Sequence, residues 1–239
     1  MSTAHCRTTW LITGTSRGIG YEIVRQLVQS SANVVIAACR NPDKAVDLHA
    51  LKDTVATGNL HIVTIDVSDF EAVRGFSKQL EPILGDTGLD YLINNAGIST
   101  EDTGFTVDPE AFLHVFRTNV AGPALLSQIC LPFLKRSSRK VILNVSSFGG
   151  SHVQHFGNAY ASYAMTKSAL NMLTVKQKAE HPDMIMIAMC PGWVKTEMGG
   201  EGALIEPEES VQGILKLITS VTSKDSGRYL RYNGEEIPW

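Results

Sequence analysis

The residues of this sequence best placed for proton chemistry are Tyr163 and Lys167, which stand one helical turn apart. Residues 161–173 around them are mostly good helix formers without Gly or Pro, so both side chains are predicted to lie on one helix face. A phenol titrates near pH ~10 in model peptides, and a cation beside it favours the phenolate and lowers its pKa. The pair therefore predicts a proton donor and acceptor. An exposed tyrosine beside a solvated lysine is the alternative for these two residues taken alone.

A glycine-rich segment near the start of the chain has the form of a phosphate-binding loop. Residues 13–20 read Thr-Gly-Thr-Ser-Arg-Gly-Ile-Gly, directly after an apolar run and before an amphipathic one. Glycines let the backbone turn sharply and approach a pyrophosphate, and a helix N-terminus offers N–H groups to anionic oxygens. No Gly-Lys-Ser or Gly-Lys-Thr follows, which excludes a Walker-type loop. A turn without a ligand is the alternative. We predict a dinucleotide site that includes Gly14, Ser16, Arg17, Gly18, Ile19 and Gly20.

The end of the second apolar run indicates which dinucleotide binds. An NAD site usually has an acidic residue there for the ribose 2′-hydroxyl, whereas an arginine accommodates the 2′-phosphate of NADP. This chain has Arg40, and Arg17 in the glycine loop is placed to approach the same phosphate. NADP(H) is therefore predicted, with Asp43 as the acid of an NAD site in the alternative. Asp66, at the end of the third run, is predicted to be a capping side chain near the adenine ring of the cofactor.

Apolar runs alternate with amphipathic segments along the whole chain, the pattern of helices packed on a parallel sheet. The runs are continuously apolar, which is typical of strands covered on both faces. Asp108 and Pro109 predict a capped helix start, and Pro123 and Pro132 should kink or interrupt the long fourth helix. The predicted strands are residues 9–13, 33–38, 61–65, 91–94, 140–145, 185–190 and 227–230. The predicted helices are residues 19–29, 43–56, 70–84, 109–134, 159–180 and 208–220.

Composition narrows the class of protein further. With 21 basic and 24 acidic residues the formal net charge is −3, so no global field favours nucleic acid or an anionic membrane as partner. The cysteines, Cys6, Cys39, Cys130 and Cys190, are far apart and predict free thiols, without a zinc site, in a reducing cytoplasmic compartment. No segment approaches the ~20 apolar residues of a membrane span, and no secretory signal core precedes the first strand. Without a linker-like or repeated segment, residues 1–239 are predicted to form one domain.

Six separated motifs together resemble the short-chain dehydrogenase/reductase family, in the family's order and over essentially the whole chain. They are the glycine loop, the segment 94–97 (Asn-Asn-Ala-Gly), Asn119 within 118–122, the segment 144–147 (Asn-Val-Ser-Ser), the segment 163–167 and the segment 191–196 (Pro-Gly-Trp-Val-Lys-Thr). Residues 191–200 and 232–239 are similar to the sniffer-type carbonyl reductase branch. The resemblance implies an α/β single-domain Rossmann fold, with a doubly wound seven-stranded parallel sheet in the order 3-2-1-4-5-6-7.

The resemblance also implies roles for a catalytic set. Tyr163 would donate the proton to a carbonyl oxygen while NADPH gives hydride to the carbon. Lys167 would keep the pKa of Tyr163 low and bond the nicotinamide ribose, and Ser147 would polarise the carbonyl. Asn119 would hold a helix distortion and a water that relays protons to Lys167.

Further site residues follow from the same resemblance. Besides the glycine loop, Arg40 and Asp66, the expected cofactor contacts are Val67, Asn95, Ala96, Gly97, Tyr163, Lys167, Pro191, Gly192, Val194 and Thr196. Aromatic and apolar residues in the loops at the carboxyl edge of the sheet are the candidate substrate contacts, with ordinary core or lid packing as the alternative. They are Phe148, Phe156, Tyr160, Trp193 and Met198.

Several nearby residues compete for these roles. Ser146 is a second hydroxyl beside Ser147, which we prefer because a glycine follows it three residues later. Tyr160 lacks a lysine one turn on, so it is expected to line the pocket. His152 and His155 are either substrate contacts or exposed loop residues, and they stay outside the catalytic set.

The predicted function is NADPH-dependent reduction of a ketone, aldehyde or quinone to the alcohol. The alternatives are an NAD-dependent alcohol dehydrogenase of the same family and a cofactor-binding regulatory protein without turnover. The expected partner is a small carbonyl or alcohol substrate, without nucleic acid, membrane or metal. The resemblance favours a homodimer or homotetramer paired through the fourth and fifth helices, and a monomer is the alternative.

Overall fold

The computed structural model describes residues 7–56, 58–154 and 156–239. Seven strands form one parallel sheet in the order β3-β2-β1-β4-β5-β6-β7. They are β1 (Thr8–Thr13), β2 (Asn33–Cys39), β3 (Leu60–Thr64), β4 (Tyr91–Asn94), β5 (Val141–Val145), β6 (Ile185–Cys190) and β7 (Tyr229–Arg231). The predicted strand order and the parallel arrangement are confirmed. Cys6 and His155 lie outside the described residues.

Helices connect successive strands and cover both faces of the sheet. They are α1 (Gly18–Leu27), α2 (Val46–Asp53), α3 (Phe70–Arg74), α4 (Ser77–Leu84), α5 (Pro109–Phe116), α6 (Gly122–Arg136), α7 (Ala161–Glu180) and α8 (Pro207–Ser220). Short 3₁₀ turns occupy Pro42–Lys44 and Phe148–Gly150, and a π-helical segment occupies Arg117–Ala121. The helices of one face are α1, α2 and α8, and those of the other include α3, α4 and α6.

Two apolar cores lie between the sheet and its two helical layers. Successive residues of each strand point to opposite faces, so Trp10 and Ile12 join one core while Leu11 joins the other. This is why the strands are apolar without interruption. The helix α7 lies in the same layer as α6. Asn144 of β5 points to the same face as Ile142, and it donates from Nδ2 to Thr174 Oγ1 of α7 at 2.9 Å.

The strand boundaries differ from the sequence-based ones by up to two residues. The strand β3 begins one residue earlier than expected and β7 begins two residues later. In the second case Gly227 has φ +85° and lies in the turn before the strand, although its N–H already donates to Met186 O of β6 at 2.7 Å. A positive φ is a turn conformation that a strand residue does not adopt.

Two predicted helices are divided into shorter elements. The expected helix over 43–56 becomes a 3₁₀ turn and α2, because Ala45 between them has non-helical φ −87° and ψ 63°. The expected helix over 70–84 is divided into α3 and α4 at Gly75. The start of α5 is capped as predicted, since Asp108 Oδ2 accepts from Ala111 N–H at 2.8 Å.

The long fourth helix is interrupted by the π-helical segment, which lies just ahead of Pro123. Pro123 occupies the first turn of α6, directly after the π-helical segment, and α6 continues through Pro132 to Arg136. Gly122 follows the π segment in close contact with Val67, because a Cβ at Gly122 would lie 2.3 Å from Val67 O. The interruption is therefore tied to tertiary packing. Pro132, which was expected to kink or interrupt the helix, does not interrupt α6.

The contact at Gly122 leads to a stability prediction. In Gly122→Ala the new methyl must displace the Val67 backbone, so we expect the free energy of unfolding to fall by about 1–3 kcal/mol. Gly104→Ala is the matched control, because a Cβ at Gly104 would have no neighbour within 4 Å among the described residues. Its stability should change by less than about 1 kcal/mol. Urea unfolding followed by circular dichroism measures both, and equal stabilities of the two variants would refute the packing argument.

Candidate active site

The segments singled out in the sequence meet at one edge of the sheet. The carboxyl ends of β1, β4, β5 and β6 lead directly into Gly14, Asn95, Ser146 and Pro191. In parallel strands these ends share one edge, and ligands bind there in doubly wound folds. The helix α7 brings Tyr163 and the buried Lys167 to the same edge, through contacts of Lys167 with Val145 at the end of β5.

Tyr163 and Ser147 form the centre of the site. The tyrosine side chain is partly exposed, and Ser147 lies near enough to its hydroxyl to lower the pKa of the phenol. Ser147 Oγ also accepts from Gly149 N–H at 3.2 Å, which orients the hydroxyl from the side of the 3₁₀ turn. Two hydroxyl groups are therefore presented near each other at the edge of the sheet.

Lys167 lies beneath Tyr163 and is directed toward the sheet. Its Nζ donates to Val145 O at 2.7 Å and lies 5.4 Å from the centroid of the Tyr163 ring. The lysine is only 4 % exposed, and this burial lowers its pKa to about 8. The amine is thus protonated at neutral pH and loses its proton within the mildly alkaline range.

The pKa of Tyr163 differs from the sequence-based expectation. Burial raises it to about 12, a hydrogen bond from Ser147 lowers it in part, and the nearby Cys190 raises it further. The expectation of a lowered pKa in the chain by itself is wrong, because loss of water around the hydroxyl outweighs the favourable neighbours. The phenol therefore stays protonated at neutral pH.

Asn119 lies in the π-helical segment and connects it to two other segments, the loop after β4 and the helix α7. It is fully buried, its Oδ1 accepts from Ile98 N–H at 2.9 Å, and its Nδ2 donates to Ile98 O at 2.9 Å and to Thr166 Oγ1 at 3.0 Å. Thr166 lies between Tyr163 and Lys167 in sequence. A Cβ at Gly97 would lie 3.3 Å from Asn119 Oδ1 and 3.7 Å from Lys167 Nζ, so the site leaves little space there.

The N-terminus of α7 is capped from a distant segment. Its Ncap residue, Tyr160, has left-handed φ +57° and ψ 42° and makes no capping bond with its own side chain. Instead, Asp102 accepts from the N–H of Ser162 at 3.0 Å and also accepts the Ser162 hydroxyl. A carboxylate at the positive end of a helix dipole stabilises that end. Asp102 therefore fixes the turn that precedes Tyr163, a role absent from the sequence analysis.

The two candidate serines differ in their partners. Ser146 is buried, and its hydroxyl donates to Asn171 Oδ1 at 2.6 Å, so it serves the contact between β5 and α7. Ser147 is the one of the two that acts on the pKa of Tyr163. The geometry therefore agrees with the preference for Ser147.

The glycine loop is held against the segment that follows β4. Asn95 Nδ2 donates to Thr13 O at 2.8 Å, and Ala96 N–H donates to Thr13 Oγ1 at 3.0 Å. Gly14 has φ +70° and Gly18 has φ +59°, conformations that favour glycine. At Gly20 a Cβ would lie 2.3 Å from Gly14 O, so this glycine permits close packing of α1 on the loop.

The chemistry of this loop fits a phosphorylated dinucleotide. The first turn of α1 has no side-chain cap, so its N–H groups are available to anionic oxygens. Arg40 is exposed after β2 and forms no hydrogen bond or ion pair among the described residues. Arg17 is also exposed but pairs with Glu197 at 3.1 Å. Asp66 accepts from Ser68 N–H and Oγ in a local turn, and Asp43 is exposed in the 3₁₀ turn after Arg40.

The loop after β6 closes toward the glycine loop. Gly192 has φ +86°, and Val194 pairs with Ile205 in an isolated bridge. Thr196 accepts from Gly199 N–H at 3.1 Å, and its Cγ2 would lie 3.4 Å from a Cβ at Gly18. These contacts place Thr196 beside the dinucleotide loop. Pro191 O accepts the Ser210 hydroxyl at 2.7 Å, which ties the same loop to α8.

The candidate substrate residues form two groups. Phe148, Phe156 and Tyr160 pack successively, with ring centroids 5.5 Å and 6.0 Å apart. Trp193 and Met198 are more than half exposed in the loop after β6, and Trp193 Nε1 donates to Gly199 O at 2.7 Å. His152 is exposed. The structure thus places an aromatic group beside Ser147 and a separate apolar pair on the opposite loop.

Comparison with known proteins settles the family. The model of the short chain dehydrogenase family matches residues 8–203, which is most of the chain. The chain belongs to the short-chain dehydrogenase family. The resemblance inferred from the six motifs is confirmed, and the protein is an oxidoreductase of this family.

Other short-chain dehydrogenases resemble this one over nearly their full length. The Drosophila melanogaster carbonyl reductase Sniffer is 30 % identical with a TM-score of 0.92, covering 98 % of this chain and 100 % of that one. An NADPH-bound carbonyl reductase from chicken fatty liver is 34 % identical with a TM-score of 0.92 and the same coverages. An uncharacterized oxidoreductase of Schizosaccharomyces pombe is 26 % identical over 250 residues, covering 96 % of this chain and 97 % of the relative. The similarity to the sniffer-type branch is confirmed.

Other features of this short-chain dehydrogenase concern what surrounds the site. Within the described part of the chain, no cluster of three His, Cys, Asp or Glu residues could hold a metal ion. No helix of the described residues is long and apolar enough to cross a membrane. Cys39, Cys130 and Cys190 are free and buried, as expected.

The burial of Lys167 leads to a pH-dependent stability prediction for this short-chain dehydrogenase. Because its pKa is lowered from 10.5 to about 8, the folded state disfavours the lysine proton. The unfolded state retains that proton up to a higher pH, so folding becomes more favourable as pH rises through this window. Relative to Lys167→Met, the wild-type free energy of unfolding should stay constant below pH 8 and then rise by up to about 3 kcal/mol.

Urea unfolding without cofactor, repeated across this pH range, measures the difference. Tyr163 is present in both proteins, so its titration cancels from the difference between their free energies of unfolding. Lys176→Met, which changes an exposed lysine on the same helix, controls for the loss of one side-chain charge. A difference that does not vary with pH would contradict the buried position of the amine.

Proposed function

We propose that this protein is an NADPH-dependent carbonyl reductase that converts a ketone, aldehyde or quinone to the alcohol. The observation that carries the proposal is that Tyr163, Ser147 and Lys167 meet at the carboxyl edge of the sheet, next to the dinucleotide loop. A proton donor and a polarising hydroxyl at one point are what carbonyl reduction requires. The carbonyl reductases among the relatives support the same reaction.

The cofactor of this reaction is NADP(H), which supplies hydride to the carbonyl carbon when it is bound. The backbone of the glycine loop would hold its pyrophosphate at the N-terminus of α1. Arg40 would bond the 2′-phosphate, because its guanidinium is exposed and unpaired among the described residues. Arg17 would contribute after separating from Glu197, and Asp66 would lie beside the adenine. The remaining proposed contacts are Ser16, Ile19, Val67, Asn95, Ala96, Gly97, Pro191, Gly192, Val194 and Thr196.

Proton transfer would begin at the Tyr163 hydroxyl. Because burial keeps the phenol protonated at neutral pH, the form that donates to a carbonyl oxygen is the one present. Ser147 Oγ would donate a hydrogen bond to the same oxygen as negative charge develops on it. The raised pKa of the phenol disfavours the phenolate that alcohol oxidation requires.

Lys167 and Asn119 would support this transfer. At neutral pH the lysine is an ammonium group with one N–H bonded to Val145 O, so its other N–H groups can bond the cofactor ribose and stabilise the phenolate left behind. Asn119 would fix the backbone on which Lys167 and Tyr163 depend, through its bond to Thr166.

The surroundings of the carbonyl would favour an apolar or aromatic substrate. Phe148, Phe156 and Tyr160 form a packed aromatic wall that continues from Ser147. Trp193 and Met198 offer exposed apolar surface on the other loop, so they would contact the part of the substrate remote from the carbonyl. Burial of apolar substrate surface against these residues would supply binding free energy.

Removal of the proton donor tests the reaction. In Tyr163→Phe the ring remains but the proton is lost, so turnover should fall by about 10²- to 10⁴-fold. Tyr91→Phe, a buried tyrosine at the amino end of β4, is the matched control and should retain wild-type turnover. NADPH oxidation with a panel of ketones, aldehydes and quinones measures both. If wild type is inert across the panel, or Tyr163→Phe is as active as wild type, the proposal fails.

Reversal of one charge tests the choice of cofactor. In Arg40→Asp the 2′-phosphate loses a charge-assisted partner, so NADPH should bind about 10- to 100-fold more weakly while NADH binding is maintained. Arg139→Asp makes the same charge change just before β5, at the opposite edge of the sheet, and controls for net charge. Fluorescence titration with NADPH and NADH gives the dissociation constants. A preference for NADH in wild type, or an equal loss in both arginine variants, would contradict the assignment of Arg40.

A further inference from the structure

The backbone carbonyl of Ser147 is held from behind by a buried phenol. It accepts the N–H of Gly150 at 2.8 Å and also the hydroxyl of Tyr229. Tyr229 is the first residue of β7 and is fully buried, in a small core with Ala188, Cys190 and Ile237. Burial raises the pKa of its phenol, so the hydroxyl remains a donor across the pH range in which an enzyme works. Both lone pairs of the carbonyl oxygen are therefore used.

The same turn is also fixed from the side of α7. Asn171 accepts from Ser146 Oγ at 2.6 Å and donates from Nδ2 to Gly150 O at 3.2 Å. Because Asn171 lies on the helix that carries Tyr163, these bonds set the turn after β5 relative to the candidate proton donor. Phe148 N–H donates to Cys190 Sγ at 3.1 Å, which attaches the turn to β6 as well.

Residues 236–239 pack against Tyr229 and the turn after β5. Trp239 stacks on the Tyr229 ring with centroids 5.4 Å apart and an interplanar angle of 28°. Ile237 N–H donates to Tyr229 O at 2.8 Å, and Ser151 Oγ donates to Pro238 O at 2.6 Å. This segment therefore contacts both the tyrosine and the end of the turn that contains Ser147.

We propose that Tyr229 is a positioning residue, which holds the Ser147 peptide so that the serine hydroxyl faces Tyr163. The proposal rests on the proposed carbonyl reduction and adds a residue that touches neither substrate nor cofactor. Ser147 Oγ must be placed within hydrogen-bond distance of both the phenol and the developing oxyanion, and a small rotation of the peptide would misplace it. Without the Tyr229 hydroxyl, the partners of this peptide would be the Gly150 amide and the Cys190 sulfur.

Tyr229→Phe removes only the hydroxyl and so tests the proposal. Loss of one neutral hydrogen bond corresponds to roughly a tenfold effect, and we expect kcat to fall by about that factor while KM for NADPH stays unchanged. The pH profile of alcohol oxidation, which requires the Tyr163 phenolate, should shift to higher pH because the bond from Ser147 that lowers the pKa of Tyr163 is weakened. Tyr91→Phe again serves as the control, since it removes a buried hydroxyl far from Ser147.

One further variant and one further measurement complete the test. Trp239→Ala, which removes only the stacking on Tyr229, should reproduce the lower kcat and is the second variant if Tyr229→Phe fails to fold. Hydrogen exchange should show faster exchange of the Gly150 amide in Tyr229→Phe and no change in Tyr91→Phe. This readout requires no substrate, so it separates failure of the inference from failure of the proposed function. Wild-type kcat and an unshifted pH profile in both variants, or unchanged Gly150 exchange in folded Tyr229→Phe, would overturn the proposal.

Discussion

Burial of a charged amine at the carboxyl edge of the sheet is the constraint on which the rest of the site depends. Transfer of an ammonium group from water into a protein interior costs free energy unless strong hydrogen bonds replace its hydration. Lys167 is only 4 % exposed, and the carbonyl of Val145 is the acceptor that the sheet provides for its Nζ. The carbonyl at the end of β5 is available because the strand stops there. The position of the lysine therefore follows from where the parallel strands end.

Polar side chains then connect the segments that meet around this amine. Asn119 links the loop after β4 to Thr166, Asp102 caps α7, and Asn171 joins α7 to the turn after β5. Each of them satisfies buried or terminal backbone groups that would otherwise lack partners. The same bonds hold Tyr163, Ser147 and Lys167 at fixed mutual positions. Local stability and the arrangement required for carbonyl reduction thus depend on the same set of contacts.

The sequence was most informative where a local pattern determines the outcome. Continuous apolar runs predicted the doubly covered strands, and the one-turn spacing of Tyr163 and Lys167 placed them on one helix. An interruption of the fourth helix was predicted from Pro123 and from the resemblance at Asn119. Its π-helical form was not predictable, since it depends on contact of Gly122 with Val67 and on the bonds of Asn119. The direction of the Tyr163 pKa shift was also inaccessible, because burial is a property of the assembled fold. Asp102 and Tyr229 reach their partners from positions remote in sequence, and no motif indicates them.

Transfer of a labelled hydride tests the account most directly. Wild-type protein would be incubated with a ketone and NADPH that carries deuterium at the transferred position of the nicotinamide, prepared separately for each face of the ring. Mass spectrometry of the alcohol locates the label. The account predicts one deuterium on the carbinol carbon with one of the two labelled cofactors and none with the other. An alcohol without deuterium from either cofactor, or no alcohol from any carbonyl class, would contradict it.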